Sequence, residues 1–152
     1  MLFFNRRTSA VWLTVRLALC GPARAADPDN NIHRLGIQIT ANEPGLMTMA
    51  LNNAANVARH YGETGDEFEI ELVAYGPGLH MLREDTSPVK ARLKSISESL
   101  PNMTFSACGN TITEMQKLEK KPIPIFPGAR IVKTGVVRII ELQEQGWSYL
   151  RP

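Results

Sequence analysis

The feature that most constrains the fold of this chain is a regular alternation between strand-like and helix-like segments. Period-two patterns or short apolar runs predict five strands, at 35–39, 68–75, 103–108, 129–132 and 147–150. Between them, apolar residues spaced i, i+3, i+4, i+7 predict four helices. Strands that alternate with helices in this way are typical of an α/β fold, in which a mostly parallel five-stranded sheet is covered by helices on both faces.

Local signals predict where several of these helices begin or end. Gly62 follows the first apolar stripe and is expected to end that helix. Ser87-Pro88 is typical of a helix start, since a hydroxyl side chain can cap the backbone and Pro fits the first turn. Residues 111–114 have the spacing of a capping box, which predicts that Thr111 caps the third helix. Thr134 is the expected cap of the last helix.

The second predicted strand begins with alternating acidic and apolar residues. Glu69 and Glu71 alternate with Phe68, Ile70 and Leu72 before the wholly apolar run at 73–75. This pattern favours a strand whose first part has one solvated face, as at the edge of a sheet.

The first 33 residues are expected to lie outside the folded domain. Arg6 and Arg7 precede a mostly apolar run, and the small residues of Ala23-Arg24-Ala25 follow it. This order is typical of a secretory signal peptide, so we expect cleavage after Ala25. Residues 1–25 are therefore interpreted as the signal, 26–33 as a flexible tether and 34–152 as the domain. The expected location is the periplasm.

Charge and hydropathy narrow the functional class. The whole chain carries a formal net charge of +2. Removal of the four arginines of residues 1–25 leaves 13 basic and 15 acidic residues, a net charge of −2. A chain with this balance is not expected to bind nucleic acid. It contains no apolar run long enough for a stable membrane span, and it shows no cofactor fingerprint or metal-ligand spacing.

Cys108 is the strongest candidate for a reactive residue. It ends a predicted strand, and functional sites of parallel α/β sheets lie beyond the carboxyl ends of the strands. It is the one cysteine left after signal removal, and a lone cysteine is typically either a thiol with a chemical function or a buried packing residue. The next helix begins nearby, and Lys133 follows a neighbouring strand. We therefore expect a lowered pKa for the Cys108 thiol.

Four blocks of the sequence resemble the DsrE/DsrF-like sulfur-relay family. They are residues 50–56 (ALNNAAN), 71–79 (ELVAYGPGL), 105–111 (FSACGNT) and 141–152 (ELQEQGWSYLRP). The resemblance spans Leu35 to Pro152 and is to the exported branch, whose members often carry His where this chain has Tyr75. It implies a flavodoxin-like three-layer sandwich assembled as trimers or hexamers. It also implies that Cys108 corresponds to the cysteine on which sulfur-oxidation members carry a persulfide.

Two functional hypotheses follow. In the first, the protein is a periplasmic sulfur carrier in which the Cys108 thiolate takes up sulfane sulfur from a donor. Its chemistry would resemble that of a sulfurtransferase, and its partner would be a sulfur donor or acceptor protein. In the second, it is a non-catalytic oligomeric module that binds a small ligand or a protein, and Cys108 is structural. A purely structural oligomer is a third, lesser reading. Exposure and reactivity of Cys108 distinguish the first two.

Overall fold

The computed structural model describes residues 32–152, which form a single parallel sheet with helices on both faces. In chain order the elements are β1 (His33–Ile39), α1 (Pro44–Thr64), β2 (Phe68–Ala74), a 3-10 helix (Gly76–Leu82), α2 (Lys90–Ser99), β3 (Met103–Cys108), α3 (Gly109–Glu119), β4 (Ala129–Val132), α4 (Gly135–Glu144) and β5 (Ser148–Leu150). The strands lie in the order β4-β3-β2-β1-β5, and every neighbouring pair is parallel. The predicted five-stranded, flavodoxin-like α/β sandwich is confirmed.

The two faces of the sheet are covered unequally. Helices α1, α2 and α3 pack on one face and enclose the main core, which includes Met47, Leu72, Leu93, Phe105 and Ile112. Within residues 32–152, helix α4 alone covers the other face, where Val73, Ile139 and Leu142 form a small second core. A Cβ atom at Gly36 would lie 3.3 Å from a methyl carbon of Leu142, so the glycine in β1 lets α4 approach the sheet closely.

Several expected boundaries are wrong by a few residues. Helix α1 continues past Gly62 to Thr64 and ends at Gly65, whose φ of 79° lies in the left-handed region that favours glycine. The N–H of Gly65 donates to the carbonyl of Tyr61, which closes the last turn. Strand β1 begins at His33, which was expected in the tether, because its N–H donates to the carbonyl of Glu67. The predicted signal peptide and the tether up to residue 31 lie outside the described residues.

The expectation of a solvated edge on β2 is also wrong. Strand β2 lies in the middle of the sheet, between β1 and β3, and Glu71 is only 2% exposed. Its carboxylate accepts hydrogen bonds from Arg138 at 2.8 and 2.9 Å and from the hydroxyl of Ser106 at 2.6 Å. Arg130 donates to the same carboxylate. A buried charge is tolerated when its lone pairs are satisfied in this way.

Candidate functional site

Cys108 lies where β3 passes directly into α3, at the carboxyl edge of the sheet. It is the only cysteine among residues 32–152, and its side chain is free. The residue is 4% exposed, so the sulfur lies just beneath the surface. The edge position predicted from the sequence is confirmed, and the thiol is less accessible than a surface nucleophile.

The surroundings of Cys108 stabilise its thiolate form. Burial alone would raise the pKa of the Cys108 thiol, since it penalises the charge. Hydrogen bonds from the Thr111 hydroxyl and from the backbone N–H groups of Gly135, Thr111 and Asn110 outweigh burial and hold this pKa below its usual value. Gly135 is the first residue of α4, while Asn110 and Thr111 lie in the first turn of α3. Two helix N-termini therefore face one sulfur atom.

The expected lowering of the Cys108 pKa comes from the helix start that was predicted, together with the start of α4, and not chiefly from Lys133. Lys133 follows β4 at the same edge of the sheet, but it lines the groove between β4 and α4. The groups that lower the thiol pKa are hydrogen-bond donors. Preorganised dipoles of this kind act at short range and stabilise a thiolate without a cation beside it.

Thr111 has a role that the capping-box prediction missed. Helix α3 begins at Gly109, two residues before the expected cap, so Thr111 lies within its first turn. Its hydroxyl oxygen accepts a hydrogen bond from the N–H of Gly76 at 3.0 Å, which leaves the hydroxyl proton for the sulfur. Glu114, the other end of the predicted box, instead forms an exposed salt bridge with Lys117 at 2.7 Å.

Tyr75 forms the next part of the edge, directly after β2. A Cβ atom at Gly135 would lie 2.8 Å from the ring of Tyr75, so this glycine lets the ring pack against the start of α4. Partial burial raises the pKa of the Tyr75 hydroxyl, and the charges of Tyr149 and Cys108 add to the rise, while Arg151 opposes it. Tyr75 thus lies within electrostatic reach of Cys108, Tyr149 and Arg151.

Sequence reasoning did not place Tyr149 or Arg151 at the candidate site. The pairing of Leu150 with Ile37 places β5 beside β1, and Tyr149 then donates a hydrogen bond to Gln38 at 2.6 Å. The signal that could have found Arg151 is its position one residue after the last predicted strand, the same criterion that selected Cys108.

The described residues contain no group of three His, Cys, Asp or Glu side chains that could hold a metal ion. Two of the histidines have other contacts: His33 stacks on Tyr61 with 3.8 Å between ring centroids, and the Nδ1 atom of His80 lies 2.8 Å from the hydroxyl of Thr86.

None of the helices within residues 32–152 has the length and apolar character needed to cross a membrane.

Comparison with known proteins supports the fold. No protein-family model matches the chain, and no curated protein matches it. Among solved structures, the chain is similar to MTH1491 from Methanobacterium thermoautotrophicum, a protein of unknown function, with 25% sequence identity and a TM-score of 0.67. The match covers 79% of this chain and 99% of that one.

Proposed function

We propose that this protein belongs to the DsrE/DsrF-like family and carries sulfane sulfur as a persulfide on Cys108. The observation that carries the proposal is the place of Cys108: it ends β3, directly precedes α3 and lies near the start of α4, where hydrogen bonds from Thr111, Gly135 and Asn110 hold the pKa of its thiol below the usual value. A thiolate is the nucleophilic form of cysteine. No second cysteine among residues 32–152 is available to resolve a persulfide into an internal disulfide.

The loading step is a nucleophilic displacement. The Cys108 thiolate attacks the outer sulfur of a persulfide R–S–S–H, and a new S–S bond forms as the old one breaks. The group R–S⁻ leaves with the electron pair, and the proton stays on the transferred sulfur. Because Cys108 is 4% exposed, the step favours a small donor over a rigid protein surface. Delivery to an acceptor protein then requires that the edge around Cys108 opens, or that the acceptor carries its thiol on a segment thin enough to reach the buried sulfur.

The second hypothesis, a non-catalytic module in which Cys108 is structural, is favoured by the low exposure of the sulfur. A buried cysteine often serves as a small apolar packing residue. Its contacts here argue against that role, since a packing thiol does not need several hydrogen-bond donors directed at it. The two hypotheses differ in one measurable property, the reactivity of the native thiol.

Alkylation of native protein by iodoacetamide as a function of pH tests the proposal. We expect reaction at Cys108 with an apparent pKa below that of a free thiol, and uptake of one sulfur atom from a persulfide donor in the mass spectrum. Cys108→Ser should fold normally and take up none. Thr111→Val should raise the apparent pKa, since it removes the hydroxyl that lowers it.

Thr113→Val is the matched control, because the Thr113 hydroxyl donates to the carbonyl of Gly109 on the same helix and does not contribute to the thiol. A thiol that resists alkylation until the chain is denatured would refute the sulfur-carrier function and favour the hypothesis that Cys108 is structural.

Assembly into a homo-oligomer is part of the proposal. Val136, Val137 and Ile140 on α4 are each nearly half exposed, and Tyr149 is 43% exposed. Apolar side chains grouped in this way are typical of an interface. Of the apolar residues near the C-terminus, Trp147 packs against the small core and Leu150 against the main core, so Tyr149 is the one that remains for an interface. Sedimentation of the mature protein as a monomer at micromolar concentration would contradict the oligomer.

Export to the periplasm is likewise proposed, on the order of charge, apolar run and small residues in 1–25. N-terminal sequencing of the exported protein should begin at Ala26. A start at Met1 in the exported fraction would contradict it.

A further inference from the structure

The groove between β4 and α4 begins beside Cys108. Cys108 is the register partner of Val132 in the neighbouring strand. Side chains alternate between the two faces of a strand, and Ser106 donates to Glu71 on the face that α4 covers, so Cys108 projects on that face as well. Val132 shares this face, because it lines the groove together with Val137 of α4. The groove therefore starts one strand spacing, about 4.8 Å, from Cys108.

The chain that follows β4 is held against the start of α3. The backbone N–H of Asn110 donates to the carbonyl of Lys133 at 3.2 Å, and its side-chain amide donates to the hydroxyl of Thr134 at 3.2 Å. A Cβ atom at Gly109 would lie 3.2 Å from the carbonyl oxygen of Val132, so the two segments are in close contact. Lys133 and Thr134 line the groove, which therefore lies directly against the segment that follows the thiol.

The groove carries an excess of positive charge. Its lining includes three cations, Arg130, Lys133 and Arg138. Arg130 and Arg138 share the buried carboxylate of Glu71, and Arg138 also pairs with Glu141. Lys133 forms no side-chain hydrogen bond or salt bridge with any residue of 32–152, and it is exposed. Its ammonium group is therefore available to an anion that enters the groove.

The size and lining of the groove favour an organic anion. Its volume is about 530 Å³, within the range of roughly 300–1,000 Å³ that is typical of small-molecule sites. Val132 and Val137 provide apolar surface beside the cations. A compact inorganic ion would leave most of this volume and the apolar surface unoccupied.

We infer that the groove between β4 and α4 binds the sulfur donor of Cys108, and that Lys133 pairs with a carboxylate of this donor. The inference rests on the proposed carrier function and names its substrate class: a small organic persulfide that bears a carboxylate. In an extended persulfide of 3-mercaptopropionate, the outer sulfur and the carboxylate are far enough apart to span one strand spacing of about 4.8 Å. The flexible stem of Lys133 can follow the carboxylate along the groove.

Lys133 acts on binding and takes no part in bond exchange. The Cys108 thiolate attacks the outer sulfur of R–S–S–H, and a new S–S bond forms as the old one breaks. R–S⁻ leaves with the electron pair and with its carboxylate, and the proton stays on the transferred sulfur. An ammonium group close to the carboxylate favours an anionic donor over a neutral donor of the same size in the binding step.

The first test compares iodoacetate with iodoacetamide, two alkylating agents of similar shape that differ by one negative charge. The ratio of their rates at Cys108, taken relative to the same ratio for a free thiol, cancels the fraction of thiolate and measures the effect of the anionic charge. We expect Lys133→Gln to lower this ratio about 3-fold, as loss of an exposed ion pair implies. Lys133→Arg, which keeps the charge, should preserve most of it.

Lys94→Gln is the matched control. It removes the same charge from α2, on the opposite face of the sheet, where Lys94 lines a different cavity. We expect its ratio to equal that of wild type. An unchanged ratio in Lys133→Gln, or an equal fall in Lys94→Gln, overturns the donor site.

The second test uses the persulfides of 3-mercaptopropionate and of 3-mercaptopropanol as a matched anionic and neutral pair. Relative to a free thiol, wild type should load Cys108 faster from the anionic donor, and Lys133→Gln should remove most of this preference without slowing the neutral donor. Absence of the preference in wild type overturns the substrate class. If the alkylation ratio responds to Lys133 but neither persulfide loads Cys108, the groove stands as an anion site and the carrier function fails. A native thiol that neither alkylating agent reaches refutes both.

Discussion

The two faces of the sheet are built on different principles. The face under α1, α2 and α3 carries the large apolar core, whose residues are almost completely buried; the buried Arg83 beside this core pairs with Asp85 and Glu119. Among the described residues, the face under α4 has a core cluster of only three buried apolar residues and also carries a buried carboxylate, Glu71, with its two arginines. The residues at the candidate site, Cys108 and Tyr75, project on this second side, next to the first residue of α4.

The difference indicates a division of roles. The face with three helices contributes most of the apolar burial and therefore most of the stability. The face with one helix depends on polar contacts, which specify where α4 lies: Arg138 on α4 is held by Glu71 on β2. Because the N-terminus of α4 also contributes to the thiolate, the position of this single helix affects both packing and the site.

The largest expected effect comes from a cavity in the main core. Phe105 is 1% exposed and packs edge-on against Phe126, so Phe105→Ala should lower the free energy of unfolding by about 4 kcal/mol. Leu142→Ala under α4 should lower it by about 2 kcal/mol, because its smaller cluster can relax around the cavity. Urea unfolding of both variants measures the difference. Equal losses would show that the two faces contribute alike.

The next effect concerns the buried carboxylate. Glu71→Gln keeps the shape of the side chain but removes the buried charge that pairs with Arg130 and Arg138, which should lower the free energy of unfolding by about 3 kcal/mol. Arg138 then keeps only its longer pair with the exposed Glu141. The matched control is Glu69→Gln on the same strand, whose partly exposed pair with Arg34 should contribute at most about 1 kcal/mol. A loss in Glu71→Gln no larger than in the control would mean that packing alone positions α4.

The smallest effect is the pH dependence that Glu71 produces. Burial opposes its ionisation, but hydrogen bonds from Arg138, Ser106 and Arg130 hold the pKa of the Glu71 carboxyl below its ordinary value of 4.5. A carboxyl with a lowered folded-state pKa stabilises the fold above its unfolded pKa, and this stability is lost as pH falls through the folded value.

The stability of wild type should therefore decrease below about pH 4.5 more steeply than that of Glu71→Gln. The measurement is urea unfolding of both proteins from pH 7 to pH 3. Other carboxylates, such as Glu119 with a pKa of about 2 beside Arg83, titrate in both proteins and drop out of the difference. Parallel curves for the two proteins would contradict the role assigned to Glu71.

Sequence patterns located the elements well and their environments less well. The alternation at Glu69 and Glu71 correctly identified a strand, but it assigned both residues to a solvated face. The partners that bury Glu71 lie 59 and 67 residues further along the chain, where no local pattern connects them to it. The same holds for Thr111, whose hydroxyl meets the backbone of Gly76, 35 residues away, and so serves the site instead of the cap.

The sequence by itself determined the order of strands and helices and the place of Cys108 at the end of β3, because side-chain periodicity and strand ends are local properties of the chain. Only the tertiary structure decided that the sulfur is 4% exposed, that the start of α4 helps to hold it as a thiolate, and that Arg151 lies along the same edge. These properties depend on strand order and register, which bring together residues from β2, β3, α4 and β5 that are far apart in the chain.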